Sequence, residues 1–310
     1  MAPQTFTLSP SDISPEAFTD QHVLITGGSS GIGLSTAELL LSLAPSVKLS
    51  ILDINPPPRT SPLHDHPAVL VLLGDIRDWK YQRSAFAAAV QRHGELGGVF
   101  VNAGIGENTD VFFTDEVDED GQLKAIDHKV LDIDIRAAAD TVKLAIHHMR
   151  RNNGGKGSGS IVCTASLAGY LASKGLPLYS AAKFGVVGLM RALKHDVSRL
   201  NIAISVVAPA ITVTPLLTRD GARTLSSEVN KMASHGVPLN KVESIATTSA
   251  WLLSLGREGN GRGILVQADR MMDIEEGLAT SRTSWMGEEM LDLFRGGRGM
   301  KDFSKLQSKL

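Results

Sequence analysis

An apolar run that turns at closely spaced glycines most constrains what this chain can fold into. Residues 22–33 read His-Val-Leu-Ile-Thr-Gly-Gly-Ser-Ser-Gly-Ile-Gly, and a helical pattern of apolar residues follows. Gly27 permits a tight turn, Gly31 lets a pyrophosphate approach the backbone, and Gly33 allows close packing of the helix. Phosphates would then lie at the positive end of the helix dipole. The segment therefore predicts a strand, a phosphate-binding loop and a helix.

An acidic residue follows the glycine loop at a spacing typical of a ribose-binding carboxylate. Residues 47–53 read as a second strand that ends in Asp53, 20 residues after Gly33. A carboxylate at this place can bind the diol of a ribose. We expect NAD to be preferred over NADP, because the NADP phosphate would meet the carboxylate and neither Ser29 nor Ser30 offers a cation to offset the repulsion. The alternative for Asp53 is an ordinary turn residue at a strand end.

Alternating strand and helix patterns extend over most of the chain. Further strand-like runs recur at about 69–73, 98–102, 160–165, 202–208 and 263–267. With 310 residues, 43% of them hydrophobic, one large core is possible. We expect an α/β fold with a doubly wound parallel sheet of the Rossmann type, in a single domain with a substrate lid and an extended C-terminal tail. The predicted segments are an N-terminal extension at 1–20, a dinucleotide-binding catalytic domain at 21–270 with its lid at about 214–240, and a tail at 271–310.

A tyrosine and a lysine one helical turn apart indicate proton-transfer chemistry. Tyr179 and Lys183 share one helix face, so the ammonium of Lys183 can stabilise the phenolate of Tyr179. Ser166 lies 13 residues before the tyrosine. Such a pair also occurs on the wet face of an ordinary amphipathic helix. The glycine loop and its acidic partner favour the chemical interpretation.

Together these motifs resemble the short-chain dehydrogenase/reductase family, from about residue 21 to about residue 267. The resemblance implies that Ser166, Tyr179 and Lys183 are catalytic, that Asp75 lies near an adenine, and that Asn102-Ala-Gly104 supports the central sheet. The cofactor-binding residues that it implies are Gly27, Ser29, Ser30, Gly31, Ile32, Gly33, Asp53, Asp75, Ile76, Asn102, Ala103, Gly104, Tyr179, Lys183, Pro209, Ala210, Thr212 and Thr214. It also implies a homodimer or a homotetramer.

Two further segments resemble a subgroup of this family. The acidic insert at 113–121 and the stretch at 285–289 are similar to fungal members related to 15-hydroxyprostaglandin dehydrogenase, many of which serve secondary metabolism. The acidic insert by itself is more typical of a solvated loop or a helix cap than of a partner site.

The chain departs from the family pattern at three places. Asp134 stands where the family usually has a catalytic asparagine, and we count it among the catalytic candidates. An anionic Asp134 can hold the water of the proton relay, or it can pair with Lys183 and weaken the effect of the lysine on Tyr179. Pro209-Ala210 replaces a usual Pro-Gly pair near the nicotinamide. Residues 267–270 stand where a Gly-Gly pair commonly closes the domain.

The resemblance implies an NAD-dependent oxidoreductase that interconverts a secondary alcohol and a ketone on a small or medium organic substrate. Ser166 would bind the substrate oxygen, and Tyr179 would transfer the proton. Residues 215–237 are expected to form the lid, with Leu216, Leu217 and Met232 lining the pocket or packing on the body. The apolar residues of the tail could cover the pocket or a subunit interface; they are Met286, Met290, Leu291 and Phe294.

Two other functions remain open at this point. Asp134 is compatible with a dinucleotide-binding sensor or scaffold that has lost redox turnover. Asp134, Ala210 and the long tail are compatible with a repurposed enzyme that performs a non-redox cyclisation or isomerisation. Substrate conversion without net NAD turnover would distinguish the repurposed enzyme from the others.

Composition excludes several classes of partner. The net charge of −2 indicates no nucleic acid or anionic membrane as a partner, and no apolar run of membrane-spanning length or signal peptide is visible. Cys163 has no second cysteine to pair with and is expected to be a buried, inert thiol. The His147-His148 pair and the His64-Asp-His66 run lack the geometry or the further ligands of a metal site. Ser308-Lys309-Leu310 matches the tripeptide that the peroxisomal import receptor recognises, so a peroxisomal location is expected, and otherwise a cytoplasmic one.

Overall fold

The computed structural model describes residues 4–107, 112–217 and 225–298, with side chains up to Gly296. Its strands are β1 (His22–Thr26), β2 (Lys48–Asp53), β3 (Val69–Leu73), β4 (Leu96–Val101), β5 (Gly159–Thr164), β6 (Ile202–Pro209), β7 (Gly263–Gln267) and β8 (Arg270–Asp273). They form one sheet in the order β3-β2-β1-β4-β5-β6-β7-β8. Neighbouring strands are parallel up to β7, and β8 is antiparallel.

Helices connect the strands and continue after them. The α-helices are α1 (Gly31–Leu43), α2 (Trp79–His93), α3 (Lys129–Leu131), α4 (Ala138–Met149), α5 (Asn152–Gly155), α6 (Ala168–Leu171), α7 (Pro177–Ser198), α8 (Leu225–Ser234), α9 (Val242–Ser254), α10 (Ile274–Thr280), α11 (Arg282–Met286) and α12 (Glu288–Arg298). A π-helical segment, Asp132–Ala137, joins α3 to α4. Short 3-10 turns lie at Pro10–Asp12, Pro15–Phe18, Pro215–Leu217 and Gly256–Gly259.

Two apolar layers cover the two faces of the sheet. On one face, side chains of α2, α4 and α7 pack against the strands, among them Phe86, Val142 and Met190. On the other face, α1 and α9 contribute Leu40 and Ile245. Burying apolar surface on both faces is what a parallel sheet requires, because crossover helices cover each side. This arrangement confirms the predicted α/β, doubly wound fold in a single domain.

The last strand is a difference from the prediction, which expected a wholly parallel sheet. Gln267 pairs with Arg270 across a two-residue turn, and Ala268 and Asp269 in that turn have positive φ angles of 50° and 58°. This is the geometry of a tight hairpin turn. Alanine is an uncommon residue there, so the sequence carried no hairpin signal.

Both predicted ends of the catalytic domain belong to the same edge of the sheet. Phe6 and Met271 exchange two backbone hydrogen bonds, and Met271 is 1% exposed. The N-terminal extension also buries Ile13 and Phe18 in the core. The predicted boundary at residue 270 therefore falls inside β8, and the extension packs as part of the domain.

Several further expectations concern a thiol, metal binding, membrane spanning and targeting. Cys163 is buried in β5, and burial raises the pKa of its thiol to about 12. No cluster of metal-ligating side chains occurs among the described residues. In the same part of the chain, no helix is long and apolar enough to span a bilayer. Ser308-Lys309-Leu310 lies outside the described residues, and the peroxisomal location stays a prediction.

Candidate active site

Ser166 and most of the predicted cofactor-binding residues lie at the ends of six neighbouring strands, at the carboxyl edge of the sheet. The glycine loop follows β1, Asp53 ends β2, Asp75 and Ile76 follow β3, the segment 102–104 follows β4, and Ser166 follows β5. The segment 209–214 lies at the end of β6. The strand order reverses around β1, which pairs with both β2 and β4. Ligands of open α/β sheets bind in the crevice at such a point.

The glycine loop has the backbone that its sequence predicts. Gly27 has a φ of +67°, and a side chain there would come within 2.8 Å of Ala103 Cα in the loop after β4. At Gly33, a Cβ atom would lie 2.1 Å from the Gly27 carbonyl oxygen. Larger residues would therefore force the loop and α1 apart. The close approach leaves the N-terminus of α1 facing the crevice.

Hydrogen bonds join the end of β1 and the glycine loop to the ends of β4 and β5. Thr26 Oγ1 accepts from the backbone N–H groups of Asn102 and Ala103, at 3.0 and 3.2 Å. The Asn102 amide donates to the carbonyl oxygens of Thr26 and Gly27, and its own oxygen accepts from Thr164 Oγ1. These bonds connect the ends of β1, β4 and β5, and so hold the floor of the crevice.

Asp53 lies directly beneath the glycine loop. Its Oδ2 accepts from the backbone N–H of Ser29 at 3.0 Å, and its Oδ1 accepts from that of Asn55. The hydroxyl of Ser29 is buried and has no hydrogen-bond partner among the described residues. An unpaired hydroxyl and an uncovered helix N-terminus are groups that a diphosphate would satisfy. The loop therefore fits a dinucleotide.

Asp75 is engaged by a neighbouring cation. The guanidinium of Arg77 donates to its Oδ2, with Nη2 at 2.6 Å, and this interaction holds the pKa of the carboxyl below its usual range. Ile76 beside it is 7% exposed. The pair lies on the β3 side of the crevice.

The helix α7 carries Tyr179 and Lys183 on successive turns. The Lys183 ammonium lies 5.4 Å from the centre of the Tyr179 ring. It also donates to the carbonyl oxygen of Thr164, the last residue of β5, at 3.1 Å. Lys183 is only 4% exposed. The lysine thus ties α7 to the strand that ends just before Ser166.

Asp134 pairs directly with Lys183. Its Oδ2 lies 3.0 Å from Lys183 Nζ, and its Oδ1 accepts from the backbone N–H of Ile105 at 2.8 Å. Asp134 is 1% exposed and lies in the π-helical segment, a conformation often found at functional sites. Of the two possibilities left open by the sequence, the structure shows the ion pair.

The ion pair determines the charge state of Lys183. Burial alone would lower the pKa of its ammonium, but the opposite charge of Asp134, together with Tyr179, raises the pKa above its usual value. The ammonium form of Lys183 is therefore favoured, and the carboxylate of Asp134 offsets part of its charge. Gly104 lies against the same carboxylate, because a Cβ atom there would be 2.9 Å from Asp134 Oδ2.

The Ser166 hydroxyl makes two hydrogen bonds with backbone groups. Its hydroxyl donates to the carbonyl oxygen of Pro209 at 3.3 Å and accepts from the backbone N–H of Ala168. The long donor distance leaves this hydroxyl able to turn towards another acceptor. Its contact with Pro209 brings the ends of β5 and β6 together.

The segment after β6 extends towards the glycine loop. A Cβ atom on Gly31 would lie 3.5 Å from Thr214 Cγ2. Asn240 braces this segment, because its amide donates to Thr212 Oγ1 and to the Val266 carbonyl oxygen. The half-buried Ala210 lies between these contacts. The predicted cofactor residues on both sides of the crevice are thus close together.

The predicted lid is only partly described. Leu216 is 50% exposed, and Leu217 and Met232 are half-buried. Residues 218–224 lie outside the described residues. In the tail, Leu291 is buried, and Met290 is exposed.

Sequence reasoning missed three residues of this region. Glu107 accepts the backbone N–H of Tyr179, Asn240 supports the segment after β6, and the Thr164 carbonyl oxygen binds Lys183. None belongs to a motif at a recognisable spacing. Their contacts form between segments that are distant in the sequence, so only the strand order reveals them.

The fold and this constellation define a dinucleotide-binding oxidoreductase of the Rossmann class. Residues 21–224 match the short chain dehydrogenase family, which is two thirds of the chain. The chain therefore belongs to the short-chain dehydrogenase/reductase family. The finer likeness to 15-hydroxyprostaglandin dehydrogenase stays a prediction.

Fungal relatives support the same assignment. The short-chain dehydrogenase/reductase prx4 of Penicillium roqueforti is 35% identical over 291 residues, which cover 91% of this chain and 84% of that protein. The short-chain dehydrogenase/reductase ATR7 of Stachybotrys chlorohalonatus is 32% identical over 316 residues, which cover 96% of this chain and 94% of that protein. A crystal structure of levodione reductase superposes with a TM-score of 0.66 at 26% identity, over 81% of this chain and 97% of that one.

Proposed function

We propose that this protein is an NAD-dependent dehydrogenase or reductase that interconverts a secondary alcohol and the matching ketone. The observation that carries the proposal is the Lys183 ammonium, which lies over the ring of Tyr179 and binds the carbonyl oxygen of Thr164, two residues before Ser166. When bound in the crevice, a dinucleotide would supply or accept the hydride. The oxidation breaks the O–H and C–H bonds of the alcohol and forms the carbonyl group.

The chain's own residues handle the proton and the substrate oxygen. In the proposed mechanism, Ser166 Oγ donates a hydrogen bond to the substrate oxygen, and Tyr179 Oη accepts the alcohol proton during oxidation or returns it during reduction. Lys183 stabilises the phenolate, although Asp134 compensates part of its charge. We also propose that Lys183 contacts the nicotinamide ribose, since its ammonium lies between Tyr179 and Thr164.

The charge of Asp53 supports a preference for NAD. One of its oxygens accepts the backbone N–H of Ser29 in the glycine loop, and the other accepts that of Asn55 just after β2. These two bonds fix the carboxylate beside the expected position of the ribose. A phosphate on that ribose would meet this fixed negative charge. Neither Ser29 nor Ser30 can neutralise it.

The surroundings of the crevice support a partly apolar substrate. Ile211 and Leu216 are 40% and 50% exposed, although each has a large apolar side chain. They flank Thr212 and Thr214 after β6. Apolar side chains left exposed at the rim of a crevice favour an organic substrate of medium size. Fungal secondary metabolism is the setting that the fungal resemblance suggests.

A second candidate function is a non-redox conversion on the same scaffold. The Asp134–Lys183 ion pair favours it, because a neutralised lysine stabilises a phenolate less. In that case the protein would convert a substrate without changing the amount of reduced cofactor. Asp134 would then hold Lys183 as a structural cation.

The test begins with fluorescence titrations of the purified protein with NADH and NADPH. A panel of secondary alcohols and ketones is then screened by the absorbance of the reduced cofactor. We expect tighter binding of NADH, turnover by the wild type, and loss of turnover in Tyr179→Phe with cofactor binding nearly intact. The matched control is Tyr81→Phe, because Tyr81 Oη binds the Leu72 carbonyl oxygen away from Lys183. Activity retained by Tyr179→Phe would exclude Tyr179 as the proton donor.

A further inference from the structure

A buried carboxylate lies beside the first turn of α7, the helix that carries Tyr179. Glu107 follows the 102–104 segment after β4 and is 4% exposed. Its Oε2 accepts a hydrogen bond from the backbone N–H of Tyr179 at 2.9 Å, across 72 positions of sequence. Its Oε1 is buried without a hydrogen-bond partner among the described residues. Burying a carboxylate is costly unless its interactions compensate.

The helix α7 lacks a capping side chain of its own. Leu176 occupies the N-cap position and makes no side-chain hydrogen bond, and Pro177, the first helical residue, has no N–H group. Ser180 donates its N–H to the Leu176 carbonyl oxygen. Leu178 and Tyr179 therefore carry the first-turn N–H groups that the helix itself leaves without an acceptor. Glu107 supplies an acceptor to one of them, with a charge that suits the helix dipole.

Two carboxylates hold successive turns of α7. Asp134 binds Lys183 on the second turn, and Glu107 binds the backbone of Tyr179 on the first. If the first turn moved, Tyr179 would shift relative to a lysine that is fixed independently by Asp134 and Thr164. The distance between the phenol and the ammonium thus depends on both anchors.

We propose that Glu107 is a positioning residue of the active site, which fixes Tyr179 relative to Lys183 by capping α7 from the loop after β4. The inference rests on the proposed function, because it assumes that Tyr179 transfers a proton. It assigns a role to a residue that belongs to none of the motifs described above.

Two substitutions separate the hydrogen bond from the charge. Glu107→Gln keeps an acceptor oxygen and removes the charge, whereas Glu107→Ala removes both. Asp78→Ala is the matched control, since Asp78 is exposed and caps α2 by accepting the backbone N–H of Lys80. The readouts are kcat, KM, the Kd of NADH, and hydrogen exchange of the amides in the first turn of α7.

We expect Glu107→Ala to lower kcat about tenfold or more, since a small displacement of a catalytic group has this effect. The Kd of NADH should stay within about twofold of wild type. Glu107→Gln should recover most of kcat, because the amide oxygen can still accept the N–H of Tyr179. First-turn amides should exchange faster in Glu107→Ala than in Glu107→Gln, and Asp78→Ala should keep the wild-type kcat.

Three results would overturn the inference: wild-type kcat in Glu107→Ala, equal losses in Glu107→Ala and Glu107→Gln, or an equal loss in Asp78→Ala. If Glu107→Ala does not fold, kcat and first-turn exchange of Glu107→Gln decide, and a loss of kcat of about tenfold or more with faster exchange overturns it. Failure of the proposed function is recognised separately, by the absence of wild-type turnover. If the wild type shows no turnover, hydrogen exchange still tests the capping role. The role would be overturned if the amides in the first turn of α7 exchanged at the wild-type rate in both Glu107→Gln and Glu107→Ala.

Discussion

Asp134 Oδ2 lies 3.0 Å from Lys183 Nζ, and both side chains are buried. The pair connects the π-helical segment to α7 and places a carboxylate where an asparagine is usual in the family. The consequence is electrostatic, because Lys183 keeps its charge while Asp134 reduces the field that this charge exerts on Tyr179. Removing one partner of the pair would leave the other charge buried and unpaired, which lowers the free energy of unfolding.

Asp134→Asn should keep or raise the activity and should lower the stability. The amide can still accept the N–H of Ile105, and the unopposed lysine stabilises the phenolate of Tyr179 more. Leaving Lys183 without its anion should cost about 3 kcal/mol of unfolding free energy, measured by urea denaturation. Asp132→Asn is the control, because Asp132 pairs with Arg136 at the surface. A loss of activity beyond about tenfold would show that the carboxylate itself takes part in the reaction.

Asp53→Ala should reduce the preference for NADH over NADPH. The substitution removes the charge that opposes a ribose phosphate, so the ratio of the two Kd values should change about tenfold. Asp53→Asn checks the role of charge, since it keeps an acceptor for the Ser29 N–H. Fluorescence titration measures both cofactors. Tighter binding of NADPH by the wild type would show that the interpretation of Asp53 is wrong.

Acid should destabilise the protein through His22. This side chain is 1% exposed, and its ring nitrogens contact the Gly94 carbonyl oxygen and Ser50 Oγ. Burial lowers the pKa of His22 from its usual 6.5 to about 4. Above pH 6.5 both states leave the ring neutral. As the pH falls from 6.5 towards 4, the unfolded chain binds a proton that the folded chain excludes, so stability decreases.

His22→Gln should flatten this dependence. Between pH 6.5 and pH 4, the wild type should lose about 3 kcal/mol more of its unfolding free energy than His22→Gln loses. The measurement is the unfolding free energy as a function of pH. Substitution of the exposed His195 on α7 by glutamine provides the comparison. A slope in His22→Gln equal to that of wild type would mean that His22 is not the responsible group.

Glu275→Ala should destabilise the protein from a position outside the matched family region. Glu275 Oε1 accepts from Tyr170 Oη at 2.9 Å, and the carboxylate forms a two-pronged ion pair with Arg191. The substitution leaves the partly buried Tyr170 hydroxyl without its acceptor, which should cost about 2 kcal/mol in urea denaturation. The neighbouring, exposed Glu276→Ala should cost much less. Equal stability of the two variants would show that α10 contributes little through this contact.

Local patterns in the sequence were sufficient for much of the fold. Strands β1 to β7 appear as apolar runs between turn residues, and the glycine loop requires its backbone at Gly27 and Gly33. The i, i+4 spacing brings Tyr179 and Lys183 to one helix face in any α-helix. These features depend on neighbouring residues, whose geometry is the same wherever the segment lies.

Only the tertiary structure decided how distant segments meet. The hairpin of β8 depends on Asp269, whose carboxylate accepts from the Lys241 N–H and from Ser244 Oγ. The sequence allowed Asp134 either to hold a water or to bind Lys183, and the packing of the π-helical segment against α7 brings the two charges together. Glu107 reaches Tyr179 because β4 and β5 are neighbours in the sheet. Such contacts arise from strand order and burial, which no local spacing encodes.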